Sequence, residues 1–267
     1  MRRIGSIALA ALLIAAMGTT ATAAQKTLKA ASGTPTIDGK MDDAYKAAEA
    51  ISIDVVTSGD KSTTGTAYCL WDANNIYVLF DITDPSPSTQ ANTKEGYLYY
   101  TDSVEFFMDL TGKGNADITK VNAGQYTGAA DIPGAKFDLW GGRGGHWTAN
   151  AKNAKYISAK TDKGYICEMQ IPWGADYTPK ANAEILAAFH INSDEDGKDG
   201  REGEIFGNEG QSTAWQASTV YDKLVLTDAV YTPPVKESAT TADAGIIAAV
   251  AALASAGAAA LSLKKRK

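Results

Sequence analysis

The fold is decided by the stretch TAYCLWDANNIYVLFDI, which runs from residue 66 to residue 82. Its first part, 66–71, has the composition of a strand, and the turn cluster Asp72-Ala73-Asn74-Asn75 follows directly. Residues 76–82 are rich in aromatic and β-branched side chains, which favour strands, until Asp84-Pro85 ends the run. The stretch therefore predicts two strands joined by a tight turn.

Further strand patterns lie on both sides of this hairpin. Residues 103–109 alternate, with Val104, Phe106 and Met108 on one face and Ser103, Glu105 and Asp109 on the other. Similar patterns occupy 164–171, 186–192 and 222–226. The one helix pattern, Asp42 to Ala50, begins at an aspartate that can cap its first turn. Many short strands at close spacing predict an all-β chain folded as an antiparallel β-sandwich, jelly-roll-like, with one short N-terminal helix.

The N-terminus has the pattern of a secretory signal peptide over residues 1–24. Arg2 and Arg3 form the charged region, Ile7 to Met17 form a short apolar region, and Ala21-Thr22-Ala23 offers a small-residue cleavage site. A retained N-terminal anchor is the alternative, although the apolar run is short for a membrane span. We expect the remaining chain to be exported.

The C-terminus has the pattern of a membrane anchor. An uncharged run at 246–263 is long enough to span a bilayer as a helix, and the basic tail 264–267 follows at once. Residues 231–245 form a linker between this helix and the domain predicted at 25–230. The layout resembles Gram-positive wall-anchored proteins. The sortase position, however, contains Thr241 to Gly245 in place of Leu-Pro-x-Thr-Gly, so we expect membrane retention.

These ends predict an extracellular protein anchored at the cell surface with its C-terminus in the cytoplasm. A soluble helix at 246–263 is the alternative, because the run is rich in alanine and glycine.

Composition excludes several classes of function. Residues 25–245 carry 19 basic and 31 acidic residues, a net charge of −12, so we expect no nucleic-acid partner. Two histidines and two cysteines disfavour a zinc cluster and leave little for a Ser-His-Asp triad. No pair of carboxylates stands in a catalytic motif. We therefore expect that the chain is not itself an enzyme.

Four motifs in order resemble family 9 carbohydrate-binding modules. They are GTPTIDGKMDDAY at 33–45, LWDANNIYV at 70–78, DSVEFFMD at 102–109, and GYICE at 164–168 with Ile171-Pro172-Trp173. Tyr45 stands where the family has tryptophan. The similarity covers about 200 residues. It implies a β-sandwich that binds sugars, often the reducing ends of glucan or xylan chains, between two aromatic platforms.

The resemblance assigns the two platforms to Tyr99 and Trp215. A flat aromatic side chain stacks on the apolar C–H face of a sugar ring, whose hydroxyls need directed donors and acceptors. The alternatives are an ordinary loop aromatic for Tyr99 and a lid on the core for Trp215. By the same resemblance, Glu105 accepts hydrogen bonds from sugar hydroxyls, with a solvated strand carboxylate as its alternative.

The sequence departs from the family on a middle strand that carries arginine and asparagine. Aligning 135–140 there puts Asp138 and Trp140 at those positions, and aligning 125–127 also loses the arginine. Arg143, in the glycine-rich loop 141–145, is a candidate for the missing guanidinium. The exchange leaves the class of sugar open.

The loop 192–200 is dense in oxygen ligands. Asp194, Asp196 and Asp199 are candidates for Ca²⁺, and family members carry structural calcium; a solvated acidic turn is the alternative. Cys69 and Cys167 each lie on a predicted strand, where they either pair or act as small buried apolar groups.

Together these features predict a cell-surface, non-catalytic carbohydrate-binding protein. It would hold plant or host polysaccharide and support degradation by separate glycoside hydrolases. One alternative is a surface-layer or adhesion module that has lost sugar binding. The other is an extracytoplasmic haem-binding redox domain with His190 as the axial ligand.

Overall fold

The computed structural model describes residues 24–59, 62–88, 97–130, 137–140, 153–175, 177–198 and 200–233. The predicted signal peptide up to residue 23, the predicted membrane helix and the basic tail lie outside these ranges. Within the described ranges, no helix has the length and apolar character needed to cross a membrane. The chain divides into two units, Met1–Tyr231 and Thr232–Lys267, and the strands of the described residues belong to the first.

Strands dominate the described residues. They are β1 Thr27–Ser32, β2 Ile51–Ile53, β3 Val55–Ser58, β4 Thr64–Trp71, β5 Asn75–Thr83, β6 Ser103–Asp109, β7 Ala123–Ala129, β8 Phe137–Trp140, β9 Lys155–Lys160, β10 Gly164–Pro172, β11 Glu184–Ser193, β12 Gly203–Phe206 and β13 Asp222–Leu226. The described helices are all short 3-10 helices, at Asp43–Ala47, Leu98–Tyr100, Ile118–Lys120, Gln211–Thr213 and Ser218–Val220. The predicted all-β class is confirmed.

Two sheets meet at β1. One has the order β8-β7-β6-β11-β13-β1, and the other continues from β1 as β4-β5-β10-β9. Strand β12 pairs with β11 and β3, and β2 pairs with β4. The prediction that every strand is antiparallel is wrong for β1, which runs parallel to both β13 and β4. The chain crosses back through residues 33–63 before β4 begins, and such a crossover makes parallel pairing possible.

The core lies between the two sheets. The alternation in the sequence of β6 correctly predicts which face of that strand is buried in it. Val104, Phe106 and Met108 are fully buried in this core. Phe106 packs against Phe189 of β11 at a ring-centroid distance of 5.4 Å, and Phe80 of the other sheet lies 6.2 Å from the same ring of Phe189. The face of β6 that carries Glu105 therefore points away from the core.

The predicted helix at Asp42–Ala50 is shorter than expected. A 3-10 helix covers Asp43–Ala47, and Asp42 caps it as predicted by accepting a hydrogen bond from the Ala44 N–H at 2.9 Å. The backbone is extended at Ala48, because β2 begins at Ile51 and pairs with β4. Tertiary pairing thus ends the helix before its alanine-rich sequence does.

Both cysteines are buried thiols outside any disulfide. Cys69 on β4 pairs with Val78 of β5, and Cys167 on β10 pairs with Phe80 of β5 on the other side. Because β5 lies between them and neighbouring strands are about 4.8 Å apart, the two residues are too far apart for a disulfide. Of the two interpretations left open, the structure supports the small buried apolar group.

Candidate functional site

The candidate site lies on the outer face of β6 and its neighbours. The alternation of β6 places Glu105 on this face, where it pairs with Thr127 of β7 on one side and with His190 of β11 on the other. On the same face of β6, two residues before Glu105, Ser103 pairs with Asn192 of β11. These polar residues are buried on a face away from the main core, which indicates a function beyond packing.

Glu105 is the centre of this face and is only 4% exposed. Its Oε1 accepts hydrogen bonds from Gln125 Nε2 at 2.6 Å and Thr127 Oγ1 at 3.3 Å, and its Oε2 lies 3.6 Å from His190 Nδ1. Burial raises the pKa of Glu105, but the hydrogen bond from His190, the charge of Arg201 and the hydrogen bond from Gln125 outweigh it and hold the pKa below its usual value. The side chain is therefore an ionised acceptor at neutral pH.

His190 is enclosed by two aromatic rings. Its ring centroid lies 4.5 Å from that of Phe107 and 4.2 Å from that of Phe206. Burial lowers the pKa of His190, although Glu105 acts in the opposite direction, so the imidazole is neutral at neutral pH. Its Nε2 is buried and has no hydrogen-bond partner among the described residues, and the redox alternative with His190 as the axial ligand stays a prediction.

Arg201 connects two parts of the site. One is the set of buried polar residues on β6, β7 and β11, called here the floor; the other is a group of tyrosines around Tyr99, called here the aromatic wall. Its guanidinium donates to Asn192 Oδ1 at 2.6 Å and forms an ion pair with Glu204. Asn192 in turn donates to Ser103 Oγ at 3.0 Å. The guanidinium carbon lies 5.3 Å from the ring centroid of Tyr99, within reach of a cation–π contact. Arg201 thus supplies a guanidinium here, the group for which Arg143 was the candidate from sequence.

Tyr99 belongs to a turn that carries three tyrosines. Tyr97 stacks on Tyr99 with a centroid distance of 5.3 Å and an interplanar angle of 23°, and Tyr97 is 47% exposed. Tyr100 lies 4.6 Å from Tyr99 between ring centroids. The turn therefore presents an accessible aromatic surface next to Arg201.

Trp215 belongs to a second turn that packs on the same sheet. Its neighbour Ala214 is buried in a cluster with Phe107, which is on the site face of β6 next to Glu105. Trp215 itself is 48% exposed. This exposure leaves part of the side chain open to a ligand, and the assignment of Trp215 as a platform stays a prediction.

Two aspartates at the ends of the 102–109 motif anchor these turns. Asp102 accepts hydrogen bonds from the backbone N–H groups of Ser88 and Asp194. Asp109 accepts from Asn115 Nδ2 and from the Ser218 hydroxyl, which follows the Trp215 turn. The motif therefore holds the loops next to the site through Asp102 and Asp109, and it also supplies part of the site floor.

The remaining predicted residues have different outcomes. In the backbone register, Asp138 of β8 pairs with Thr127 and Trp140 pairs with Gln125. Both positions are therefore one strand away from a site residue of β7. Arg143 and Asp199 lie outside the described residues. Sequence reasoning missed Asn192 and Arg201 as site residues, and it reached Gln125 and Thr127, which lie beside Glu105, only through the alternative alignment of 125–127 with the middle strand. The pairing of β6 with β7 and β11 brings Gln125, Thr127 and Asn192 together, and short-range pattern does not contain that pairing.

An acidic cluster lies at the end of β11. Asp194, Asp196 and Glu202 offer carboxylate oxygens that all lie within 4.8 Å of one another. Asp194 is fully buried, and its Oδ2 has no hydrogen-bond partner among the described residues. Burial, with smaller contributions from Glu202 and Asp196, raises the pKa of Asp194 to about 6. Oxygen ligands with one buried, unsatisfied carboxylate fit a hard cation such as Ca²⁺.

Comparisons with known proteins agree with this fold. Residues 37–229 match the family described as carbohydrate family 9 binding domain-like. Endo-1,4-beta-xylanase A of Thermoanaerobacterium saccharolyticum is 33% identical over 199 residues, which cover 73% of this chain and 16% of the relative. Exoglucanase XynX of Acetivibrio thermocellus is 31% identical over 197 residues, with 73% and 16% covered. The chain thus spans about a sixth of the length of these relatives.

Solved structures show the same fold. A family 9 carbohydrate-binding module from Caldicellulosiruptor kristjanssonii in complex with cellotriose has a TM-score of 0.64 and 20% identity, covering 82% of this chain and 100% of that chain. The same organism's module in complex with glucose has a TM-score of 0.63 and 21% identity, covering 79% and 100%. The β-sandwich prediction is confirmed, and the chain belongs to the carbohydrate family 9 binding domain-like family.

Proposed function

We propose that this chain is a non-catalytic carbohydrate-binding protein whose site is the outer face of β6, β7 and β11. The observation that supports it best is the ionised, buried Glu105 on a sheet face flanked by two turns with exposed aromatic side chains. A sugar offers an apolar C–H face for the aromatic side chains and hydroxyls for the floor. Glu105 accepts from those hydroxyls, while Arg201 donates to them.

The proposed ligands are the ends of glucan or xylan chains from plant or host polysaccharide. The two relatives are named as a xylanase and an exoglucanase, and the two solved structures hold cellotriose and glucose. Because this chain matches only 16% of each relative, the match concerns a module of those enzymes. We infer that the chain supports degradation by separate glycoside hydrolases.

The state of Glu105 suits binding and disfavours this residue as the general acid of a glycosidase. A glycosidase needs a carboxylic acid whose pKa is raised, so that it can protonate the leaving group. The surroundings of Glu105 do the opposite and hold its pKa below the usual value. Its acceptor oxygens are fixed by an amide and a hydroxyl, as suits recognition of a ligand.

We also propose that residues 25–230 are displayed outside a Gram-positive-like cell. The sequence patterns at 1–24 and 246–263 support export and membrane retention. Ca²⁺ at Asp194, Asp196 and Glu202 would hold together the loop between β11 and β12, and it would neutralise carboxylates that repel one another.

Calorimetric titration of the full chain, in a detergent without a sugar head group, tests the proposed function. The ligands are glucose, cellobiose, xylobiose and their reduced alditols, and the variants are Tyr99→Ala and Trp215→Ala. We expect the parent to bind a free sugar and each variant to bind it at least about tenfold more weakly, because one stacking contact is lost.

Binding of the free sugars without the alditols would identify recognition of reducing ends. Retained affinity in both variants would remove the aromatic side chains from the site. Absence of binding by the folded parent across the whole panel would refute the proposal and favour an adhesion module that has lost its sugar.

A further inference from the structure

Arg201 lies next in sequence to a cation-ligand candidate, Glu202. The Arg201 side chain contacts Asn192 and Glu204 on the sheet and the ring of Tyr99 on the aromatic wall. The Glu202 side chain belongs to the acidic cluster with Asp194 and accepts a hydrogen bond from the Glu195 N–H at 2.7 Å. One short segment therefore takes part in both the sugar site and the acidic cluster.

The loop that carries the cluster also touches the tyrosine turn. A Cβ on Gly200 would lie 3.1 Å from Tyr100, so the backbone of the loop packs closely on that ring. The positive φ of 107° at Gly200 is a conformation that other residues rarely adopt. At the other end of the loop, the Asp194 N–H donates to Asp102 Oδ1 at 2.7 Å. A shift of the loop would thus move both Tyr99 and Arg201.

The carboxylates of the cluster favour a cation, and at present Lys198 Nζ lies 3.5 Å from Asp196 Oδ2. Three carboxylates with their oxygens within 4.8 Å repel one another when all are ionised. The unpartnered Oδ2 of the fully buried Asp194 is the second sign of a missing ligand among the described residues. A cation would draw Glu202 towards Asp194 and restrict the residue between Gly200 and Glu202.

We propose that Ca²⁺ bound by Asp194, Asp196 and Glu202 orders Arg201 and Tyr99, so that Ca²⁺ binding and sugar binding strengthen each other. This coupling rests on the proposed sugar site. If only part of the calcium-free protein holds Arg201 in its binding position, apparent sugar affinity falls by that fraction. By thermodynamic linkage, the sugar must raise the Ca²⁺ affinity by the same factor.

Two calorimetric titrations of the full chain test the coupling. Cellobiose affinity is measured with Ca²⁺ and with a chelator, and Ca²⁺ affinity is measured with and without saturating cellobiose. We expect both affinities to rise by one common factor of about 5- to 150-fold. Thermal unfolding supplies a readout without sugar, because Ca²⁺ should raise the Tm by mass action.

Three variants separate Ca²⁺ binding from the coupling between Ca²⁺ and cellobiose. Glu202→Gln should lose the Ca²⁺-dependent rise in Tm and bind cellobiose as the calcium-free parent does. Arg201→Met should still bind Ca²⁺, but cellobiose should no longer change its Ca²⁺ affinity. Glu209→Gln changes an exposed carboxylate outside the cluster and should behave as the parent.

The possible failures are distinguishable. Ca²⁺ that binds without changing cellobiose affinity refutes the coupling and leaves the proposed function intact. A parent that does not bind Ca²⁺ also refutes it, whatever the sugar does. A parent that binds Ca²⁺ but no sugar refutes both proposals, since the coupling depends on the sugar site.

Discussion

Glu105→Gln tests the proposed sugar site most directly, because it removes the charge of the central acceptor and keeps its size. In the structure, Glu105 Oε1 accepts from Gln125 and Thr127, and Oε2 faces His190 Nδ1 at 3.6 Å. The glutamine carbonyl can take the position of Oε1, and its amide can face the neutral His190. The substitution therefore leaves the floor of the site packed.

The size of the effect follows from the charge of the acceptor. A hydrogen bond to a charged group contributes about 1.5–3 kcal/mol, and each 1.4 kcal/mol is about a factor of ten in affinity. Losing one such bond to a sugar hydroxyl should lower affinity by about 10- to 150-fold. The free energy of unfolding should fall by no more than about 1–3 kcal/mol, since the buried position keeps its neighbours.

The assay is calorimetric titration with cellobiose, with near-ultraviolet circular dichroism to confirm that the variant is folded. Glu184→Gln is the matched control: it removes one carboxylate from the start of β11, where Glu184 forms a half-exposed ion pair with Lys223 at 3.0 Å. We expect the control to bind as the parent does. Unchanged affinity in Glu105→Gln would refute the assignment, and equal losses in both variants would show that only net charge matters.

Three further predictions concern stability. Tyr45→Phe removes the hydroxyl that donates to the buried Glu168 at 3.0 Å, so urea unfolding should show a loss of about 1–3 kcal/mol; an unchanged midpoint would mean that this bond contributes nothing. Gly128→Ala would place a Cβ in steric conflict with the ring of Tyr156, and we expect a loss of about 1–3 kcal/mol from overpacking, whereas an unaltered Tm would contradict that close approach. Burial raises the pKa of Asp102 to about 8, while an unfolded aspartate titrates near about 3.9, so the folded state binds the extra proton. Calcium-free protein should therefore show a falling free energy of unfolding as pH rises from about 6.5, where the half-protonated imidazole of unfolded His190 offsets only part of the Asp102 effect, to about 8. A level or rising curve in that range would refute the raised pKa of the buried Asp102 carboxyl.

The sequence predicts those strands whose signal is local. Residues 103–109 and 222–226 have the bounds that the pattern indicates, and the hairpin strands extend by only one or two residues at their ends. In each case alternation and a turn residue mark the element within a few positions. Such signals need no knowledge of the partner strand.

Strand β7 shows why other elements were missed. Its sequence, AGQYTGA, contains two glycines, which are poor strand formers. It is a strand because β6 pairs with it from Ser103↔Ala129 to Asp109↔Ala123, and this pairing also brings Gln125 and Thr127 beside Glu105. A site built by long-range pairing cannot be read from local periodicity.

Most residues in the recognisable motifs stabilise the scaffold. Trp71 and Trp173 donate their indole N–H groups to the backbone carbonyls of Thr227 and Asp72, at 2.7 and 2.8 Å. Glu168 accepts from the Gly39 N–H at 3.1 Å and from the Tyr45 hydroxyl. Tyrosine can replace the family's tryptophan at position 45 because both side chains carry a donor.

The division between scaffold and site explains why the family is easier to identify than the ligand. Of the motif residues, Glu105 and Ser103 lie on the site floor with hydrogen bonds to neighbouring site residues. Their surroundings come from positions outside the motifs, and the guanidinium at the aromatic wall comes from the loop before β12, at Arg201. The family's arginine lies on the middle strand, whereas the Arg201 guanidinium comes from a loop and reaches the site from another side. The sugar that this chain binds can therefore differ from the sugars that the family binds. The motifs therefore identify the fold and the face, while the variants at Glu105 and Arg201 decide which sugar this chain recognises.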